Sequence, residues 1–204
     1  MWRHFELLVE ANRQFNLTRI TEPGEAAVKH YADSLALLVW VDRHAPGYRP
    51  DAGLPRLVLD VGAGGGFPAA PVAISCPEWA VVALDKTAKK VRFVQRCAEV
   101  LGQRNLRGVH GRLPQWKPEF LFDLVVFRAV TSVPESLSCA AGVVGPGGWL
   151  VCYKTASTPP AELEEARRWA EANGWQAAAP FDYALHPAER ATPRRLITFR
   201  REGA

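Results

Sequence analysis

The residues Asp60-Val61-Gly62-Ala63-Gly64-Gly65-Gly66 set one carboxylate beside four glycines. Glycine costs conformational entropy, so such a cluster marks a backbone that turns tightly or comes close to a ligand. Two ligands compete for it. Gly64-x-Gly66-x-x-Ala69, with Asp85 19 residues beyond Gly66, satisfies the spacing of a dinucleotide fingerprint. That fingerprint opens where its strand ends, yet the first glycine here is Gly62. A pyrophosphate in this loop would also meet the like charge of Asp60, which is costly at low dielectric. S-adenosyl-L-methionine (AdoMet) has no phosphate and carries an ammonium and a sulfonium, both attracted by a carboxylate. Asp60, Gly62, Gly64 and Gly66 therefore suit AdoMet better than NAD. A glycine turn without a ligand is the plain alternative.

Asp85 closes a second apolar run and is placed to accept hydrogen bonds from ribose hydroxyls, or to cap the helix that follows. Arg128 follows a third run, Phe122–Phe127, at the strand end where such enzymes place the methyl acceptor. Neither an Asn/Asp-Pro-Pro-aromatic clamp for an exocyclic amine nor a Pro-Cys pair for covalent attack follows that run. The acceptor then needs neither base nor nucleophile. Guanine N7 fits, with a free lone pair and no proton to lose, so positioning and desolvation supply most of the catalysis. Arg128 there reads either as a fork for the guanine O6 or the cofactor, or as a structural ion pair.

These residues need a scaffold that alternates strands and helices. Leu57–Val61 has the length and branched composition of a buried strand, and Ala69–Ser75 reads as the helix after the glycine loop. Strands are expected at Ala80–Leu84, Leu106–His110, Phe122–Phe127, Trp149–Tyr153, Gln176–Phe181 and Leu196–Arg200. Helices are expected at Ala88–Leu101, Val133–Ala141 and Ala161–Ala172, with a turn at Gly145–Gly148. Ahead of the first strand, Phe5–Phe15 carries one apolar helical face, a second helix spans about 25–41, and the Pro/Gly-rich 46–55 is a connector. His30 and Asp33, three apart, share a face of that second helix, as a surface ion pair or as part of a site.

The expected architecture is a Rossmann-like class I AdoMet-dependent methyltransferase: a seven-stranded, mostly parallel sheet in residues 46–204, with a short N-terminal helical extension in 1–45. A chain of 204 residues, 48% apolar and 23% charged, suits one such soluble α/β unit. The net charge of +4 is small, but Lys86 to Arg112 holds eight Lys or Arg and a single acid, Glu99. Lys89 and Lys90 in that run either face solvent or touch phosphate. The four cysteines show no metal-ligand spacing and read as buried thiols of a reducing compartment; no metal is expected. Met1-Trp2-Arg3-His4 lacks the apolar core of a signal peptide, and no run is long enough to span a bilayer, so a cytoplasmic protein without membrane association is expected.

Several separate stretches resemble one family. Asn16-Leu17-Thr18, His30-x-x-Asp33-Ser34-Leu35, Asp60 to Pro68, and Leu84-Asp85-x-x-x-Lys89-Lys90-x-x-Phe93 are similar to the RsmG family, also called glucose-inhibited division protein B. Arg128-Ala129-Val130 and Lys154 extend the match. The resemblance implies AdoMet-dependent methylation of guanine N7 in 16S ribosomal RNA by a monomer acting on the RNA or the small subunit. It places cofactor contacts on Gly62, Phe67, Leu113, Pro114 and Arg128, with Asp85 near the ribose. The RNA side is then expected at Asn16, His30, Asp33, Lys89, Lys90 and Lys154, and the catalytic role at Arg128. Four departures accompany it: no family-type helix is expected ahead of the Asn16 segment, Leu113-Pro114 stands where a residue followed by Glu is usual, Ala69 replaces a glycine, and Thr155 replaces the glycine after Lys154. Pro114 has no backbone N–H to offer adenine. The rival readings are a methyltransferase of the same fold acting on a small molecule or protein, an NAD-dependent oxidoreductase, and an RNA-binding module without activity.

Overall fold

A computed structural model describes residues 1–48, 56–186 and 191–203. The chain runs α1 (Trp2–Asn12), α2 (Pro23–Ala26), a wide π-helical turn (Ala27–Ala32), α3 (Asp33–His44), β1 (Leu57–Val61), α4 (Ala69–Ser75), β2 (Ala80–Asp85), α5 (Ala88–Val100) and β3 (Leu106–His110). It continues with β4 (Phe122–Arg128), α6 (Val133–Ala140), β5 (Val144–Thr155), α7 (Pro160–Ala172), β6 (Trp175–Ala177), β7 (Phe181–Leu185) and β8 (Thr192–Arg201). Most of the expected connector at 46–55 and part of the basic loop before β8 lie outside the described residues.

The sheet order is β3-β2-β1-β4-β5-β8-β6, with β7 also on β8. The first five strands are parallel and β8 is antiparallel to β5. Strands β1 to β3 spread one way and β4 onward the other, so the order reverses between β1 and β4. Ligands bind at that switch point, beyond the carboxyl ends of the strands.

Strand alternation decides which face each site residue takes. Val58, Val81, Leu124, Val126 and Val151 pack in the core beneath α1, α3, α4 and α5. Leu59, Val82, Val125, Phe127, Leu150 and Cys152 pack in the opposite core, against α6 and α7. The period of two then sends Asp60, Asp85, Arg128 and Tyr153 to the α3/α4 side and Lys154 to the α7 side.

Three expectations change. The sheet holds eight strands, not seven: the expected strand 176–181 is two short ones, β6 on Phe199–Arg201 and β7 on Thr192–Leu196. Pro180 lacks the N–H a continuous ladder needs, so the two share one lane broken at 178–180. The glycine turn at 145–148 is part of β5, where the register with β4 slips between Phe122 and Leu124; Gly148 sits there because a Cβ would lie 2.9 Å from the Gly145 carbonyl oxygen. The second helix is interrupted by the wide turn at Ala27–Ala32. The helical face expected over Phe5–Phe15 forms α1, which buries Leu7 and Leu8 in the main core.

Candidate active site

Two cavities open at the carboxyl end of the sheet. The first, of about 370 Å³, runs from Gly62 across Asp85 to Leu113, Phe127 and Val130. The second, of about 240 Å³, lies among Leu17, His30, Asp33, Phe67, Arg128 and Lys154. Gly62 and Ala129 line both. Ala129 has φ +56°, a left-handed conformation rare outside glycine.

The glycine loop explains its composition residue by residue. Gly62 has φ +78°, and a Cβ there would lie 2.6 Å from Val130 Cγ2. Gly64 and Gly66 also have positive φ. Gly65 packs so tightly on α1 that a Cβ would meet Leu8 Cδ1 at 2.9 Å. The backbone N–H of Gly64 donates to Asp85 Oδ2 at 3.0 Å, and that of Thr87 to Asp85 Oδ1 at 2.8 Å. Asp85 thus ties the loop to the start of α5 while lining the first cavity. A carboxylate has about four lone-pair sites, so ribose hydroxyls still find acceptors there. The apolar surround of Val61, Leu84, Leu113 and Phe127 suits an adenine, and the absence of a Cβ at Gly62 leaves room for the methionine end; the residues present fit AdoMet.

Asp60 takes a different position from the one its charge suggested. It is 1% exposed and lines neither cavity; its Oδ2 accepts from the Ala69 N–H at 2.9 Å at the start of α4. Its Oδ1 is buried without a hydrogen-bond partner. Burial pushes the carboxyl up to about 7, against the pull of the Ala69 N–H and of Arg128. Asp60 thus meets the loop's helix through the Ala69 N–H and reaches neither cavity wall.

Arg128 is the hub of the second cavity. Its Nε donates to Asp33 Oδ2 at 2.8 Å and its Nη2 to the Lys29 carbonyl at 2.6 Å. Lys29 lies in the wide turn, whose i→i+5 geometry recurs at functional sites. Asp33 Oδ1 accepts from Tyr183 Oη at 2.7 Å, and Arg194 Nε lies 3.7 Å away. The structural ion pair expected as an alternative for Arg128 is therefore formed, and the residue also faces the cavity.

His30 stacks on Phe67, with centroids 4.5 Å apart and planes at 21°. Its Nε2 shares a hydrogen bond with Thr18 Oγ1 at 2.7 Å. Burial, and then the charge of Arg128, hold its pKa down at about 4, so it is neutral near pH 7. Phe67, expected on the cofactor, floors the second cavity between His30 and the fully buried His4.

The remaining expected residues divide. Leu113 lines the first cavity, and Pro114 does not. Lys90 reaches the first cavity, whereas Lys89 lines a separate groove with Arg92 and Arg96. Adjacent residues on a helix are about 100° apart, so the two lysines face different cavities. Lys154 Nζ donates to the Thr131 carbonyl and to Glu162 Oε1, strapping the loop after β4 to α7. Asn16 is exposed. Asn12 orders its segment, accepting from Leu17 and Thr18 N–H at 2.7 and 3.0 Å. Asn12, Tyr183 and Arg194 escaped the sequence reading; an Asn just before a helix-breaking segment was the one available signal. Cys76, beside Pro77, is buried at the end of α4, and its thiol is pushed up to about 12. Among the described residues no cluster of His, Cys, Asp or Glu could hold a metal, and no helix is long and apolar enough to cross a membrane.

Comparison with known proteins agrees with this architecture. The chain is 37% identical over 170 residues to ribosomal RNA small subunit methyltransferase G of Solibacter usitatus, covering 83% of this chain and 74% of that protein. It is 38% identical over 169 residues to the protein of that name from Streptococcus sanguinis, covering 81% and 68%. Among solved structures, magnesium protoporphyrin IX methyltransferase from Synechocystis PCC 6803 with bound SAM superposes with a TM-score of 0.60 at 19% identity, over 84% of this chain and 79% of that one. That likeness concerns the fold. The model of the GidB family, described as rRNA small subunit methyltransferase G, matches residues 1–180, and the chain belongs to that family.

Proposed function

We propose that this protein transfers the methyl group of AdoMet to N7 of a guanine in small-subunit ribosomal RNA. The observation that carries the reading is the meeting of the two cavities at Gly62 and Ala129, beside which the nearest candidate bases are weak or engaged: His30, held down at about 4, stacks on Phe67 and bonds Thr18, and Asp33 is held by Arg128 and Tyr183. When bound, AdoMet supplies an electrophilic methyl on a sulfonium. Guanine N7 would take that methyl with its lone pair while the methyl–sulfur bond breaks and its electrons stay on sulfur as a neutral thioether; N7 has no proton to release, so no residue has to accept one.

The work of the chain is positional. Asp85 receives the ribose, and Gly62 keeps the route between the cavities clear. Phe67 and His30 form a flat wall for the acceptor, and Arg128, anchored through Nε and Nη2, presents a fixed positive charge toward guanine O6 or a phosphate. Residues 1–45 serve as a helical extension carrying the acceptor wall, and 46–204 as the methyltransferase domain. We take the protein to act as a cytoplasmic monomer.

The test is to incubate the protein with methyl-labelled AdoMet and either small-subunit RNA or intact small subunits, then digest to nucleosides for mass analysis. Label in 7-methylguanosine is the expected result. Label in another nucleoside, or only in protein or small molecules, overturns the reading.

A further inference from the structure

We propose that the groove between α1 and α5 is a second RNA subsite, which holds the phosphodiester backbone next to the modified guanine; this rests on the reading of the chain as an rRNA methyltransferase. The groove, about 530 Å³, has Glu10, Gln14 and Phe15 on one wall and Lys89, Arg92 and Arg96 on the other, over the buried Phe93. Residues 89, 92 and 96 share one helix face, with successive rises of about 4.5 and 6 Å. That is the scale of phosphate spacing, ~3.4 Å per nucleotide along a duplex axis and longer in an extended strand.

Part of the chain's positive charge is neutralised by carboxylates. Arg3, Lys29, Arg128, Lys154 and Arg195 each pair with a carboxylate. Lys89, Arg92 and Arg96 have no ion pair or side-chain hydrogen bond among the described residues, although they line a concave surface. Glu10 is the one acid on its lining. A half-buried aromatic ring, Phe15, lies in the same wall, the combination that single strands use for phosphate and base together.

The groove and the acceptor cavity share a buried aromatic backing and a short loop. Phe93 packs on His4 with centroids 5.9 Å apart, and His4 on Phe67 at 5.2 Å. Phe15 faces the groove and Leu17 the cavity. Two residues span at most about 7 Å, one or two nucleotide steps. Asn12 fixes that short loop through the Leu17 and Thr18 N–H groups. A strand lying in the groove therefore reaches the acceptor cavity without a gap that the protein does not line.

The test compares two neutralised variants of the full chain. One is Lys89→Gln/Arg92→Gln/Arg96→Gln. The other is Arg104→Gln/Arg107→Gln, which removes charge from the same basic run outside the groove. Affinity for a small-subunit RNA fragment is measured by fluorescence anisotropy over a salt series, and AdoMet affinity by calorimetry. The groove variant should lose at least about tenfold in RNA affinity, and its log–log salt slope should fall by about 2, as three single-strand phosphate contacts require. AdoMet affinity should stay unchanged, and the Arg104/Arg107 variant should keep most of its RNA affinity. Equal losses in the two variants would assign the effect to diffuse charge and overturn the subsite. Unchanged affinity for naked RNA, with weaker binding only to intact subunits, would assign the groove to an acidic protein and overturn it too. A wild-type protein that methylates and binds RNA normally while the groove variant does the same sinks only this inference. Failure of the wild type to methylate or bind RNA sinks the proposed function, and the subsite with it.

Discussion

Arg128 Nε donates to Asp33 Oδ2 at 2.8 Å, so one ion pair locks the end of β4 to the start of α3, 95 residues away in sequence. Asp33 is 3% exposed at its side chain and Arg128 15%. Removing Asp33 leaves the guanidinium without its carboxylate and Tyr183 without its acceptor. Removing Arg128 leaves Asp33 with Tyr183 still donating. Asp33→Ala should therefore cost ~3–5 kcal/mol, the range for one broken buried pair, and Arg128→Ala less. Both should lower the methylation rate. Arg128→Lys should restore little, because Nε and Nη2 serve two acceptors, Asp33 and the Lys29 carbonyl, and a single ammonium cannot reproduce that fork. Urea unfolding beside single-turnover methylation checks both orders, and an Arg128→Lys enzyme of normal rate would remove the fork from the mechanism.

Gly62 and Val130 form the second constraint on the junction. Gly62→Ala meets Val130 Cγ2 at 2.6 Å and adopts φ +78° at a strain cost of about 1–2 kcal/mol. AdoMet affinity should fall at least about tenfold, a loss of ~1.4 kcal/mol. Gly62→Ala/Val130→Ala removes the clash but not the backbone strain, so it should recover part of the affinity. Calorimetry on the two variants separates the terms; no recovery would mean that backbone conformation alone decides the loop.

The strands and helices around the glycine loop were legible because each carries a local signal. Leu57–Val61 and Ala69–Ser75 have the bounds that composition predicted, and Leu106–His110 does as well. Long-range partnerships carried no such signal. Nothing in the sequence links Tyr183 to Asp33, since they meet only when β7 pairs with β8 and α3 crosses the sheet. The place of Asp60 was hidden for a related reason: its type suggested an open carboxylate, but strand alternation turned it toward α4, where the Ala69 N–H holds it. Lys89 and Lys90 looked like one patch in the linear chain and diverge by a helical turn angle in space.

Two histidines, His4 fully buried and His30 half-buried, give the fold an acid limit. Burial holds both His4 and His30 down at about 4, below the ordinary 6.5. The folded state then binds fewer protons than the unfolded chain, so their contribution is fully present above about pH 6.5 and is lost as pH falls to about 4. For the fully buried His4 the upper limit is ~3 kcal/mol; His30, partly exposed, contributes less. His4→Phe should flatten the stability profile between those values, although it also removes the 2.8 Å bond to Tyr31 Oη. An unchanged slope in chemical unfolding across that range would exclude His4 as its source. In the same enzyme, kcat at saturating AdoMet should show no group titrating between about pH 6 and 8, since His30 remains neutral throughout.

Asp60 gives the opposite sign and a signature of its own. Burial raises its carboxyl to about 7, above the 3.8 of a free aspartate, so near neutrality a large fraction is protonated. The neutral form is favoured in the folded state, and this group alone makes the fold less stable as pH rises through about 7. A cation arriving on the glycine loop favours the carboxylate instead. An opposite charge within ~4–6 Å lowers a carboxyl pKa by about 1–3 units. AdoMet, with its ammonium and sulfonium, should therefore bind with release of a proton, and its affinity should rise with pH through about 7. Calorimetry at pH 7 in two buffers of different ionisation enthalpy reads that proton directly, as a buffer-dependent binding heat. Asp60→Asn keeps a side-chain oxygen for the Ala69 N–H and mimics the protonated form, so it should fold with stability within about 1 kcal/mol of wild type, as one retained hydrogen bond allows. It should bind AdoMet more weakly above pH 7 and show no buffer-dependent heat. A binding heat independent of buffer in the wild type would show that Asp60 does not sense the cofactor charge, leaving the Ala69 hydrogen bond as its whole contribution to the loop.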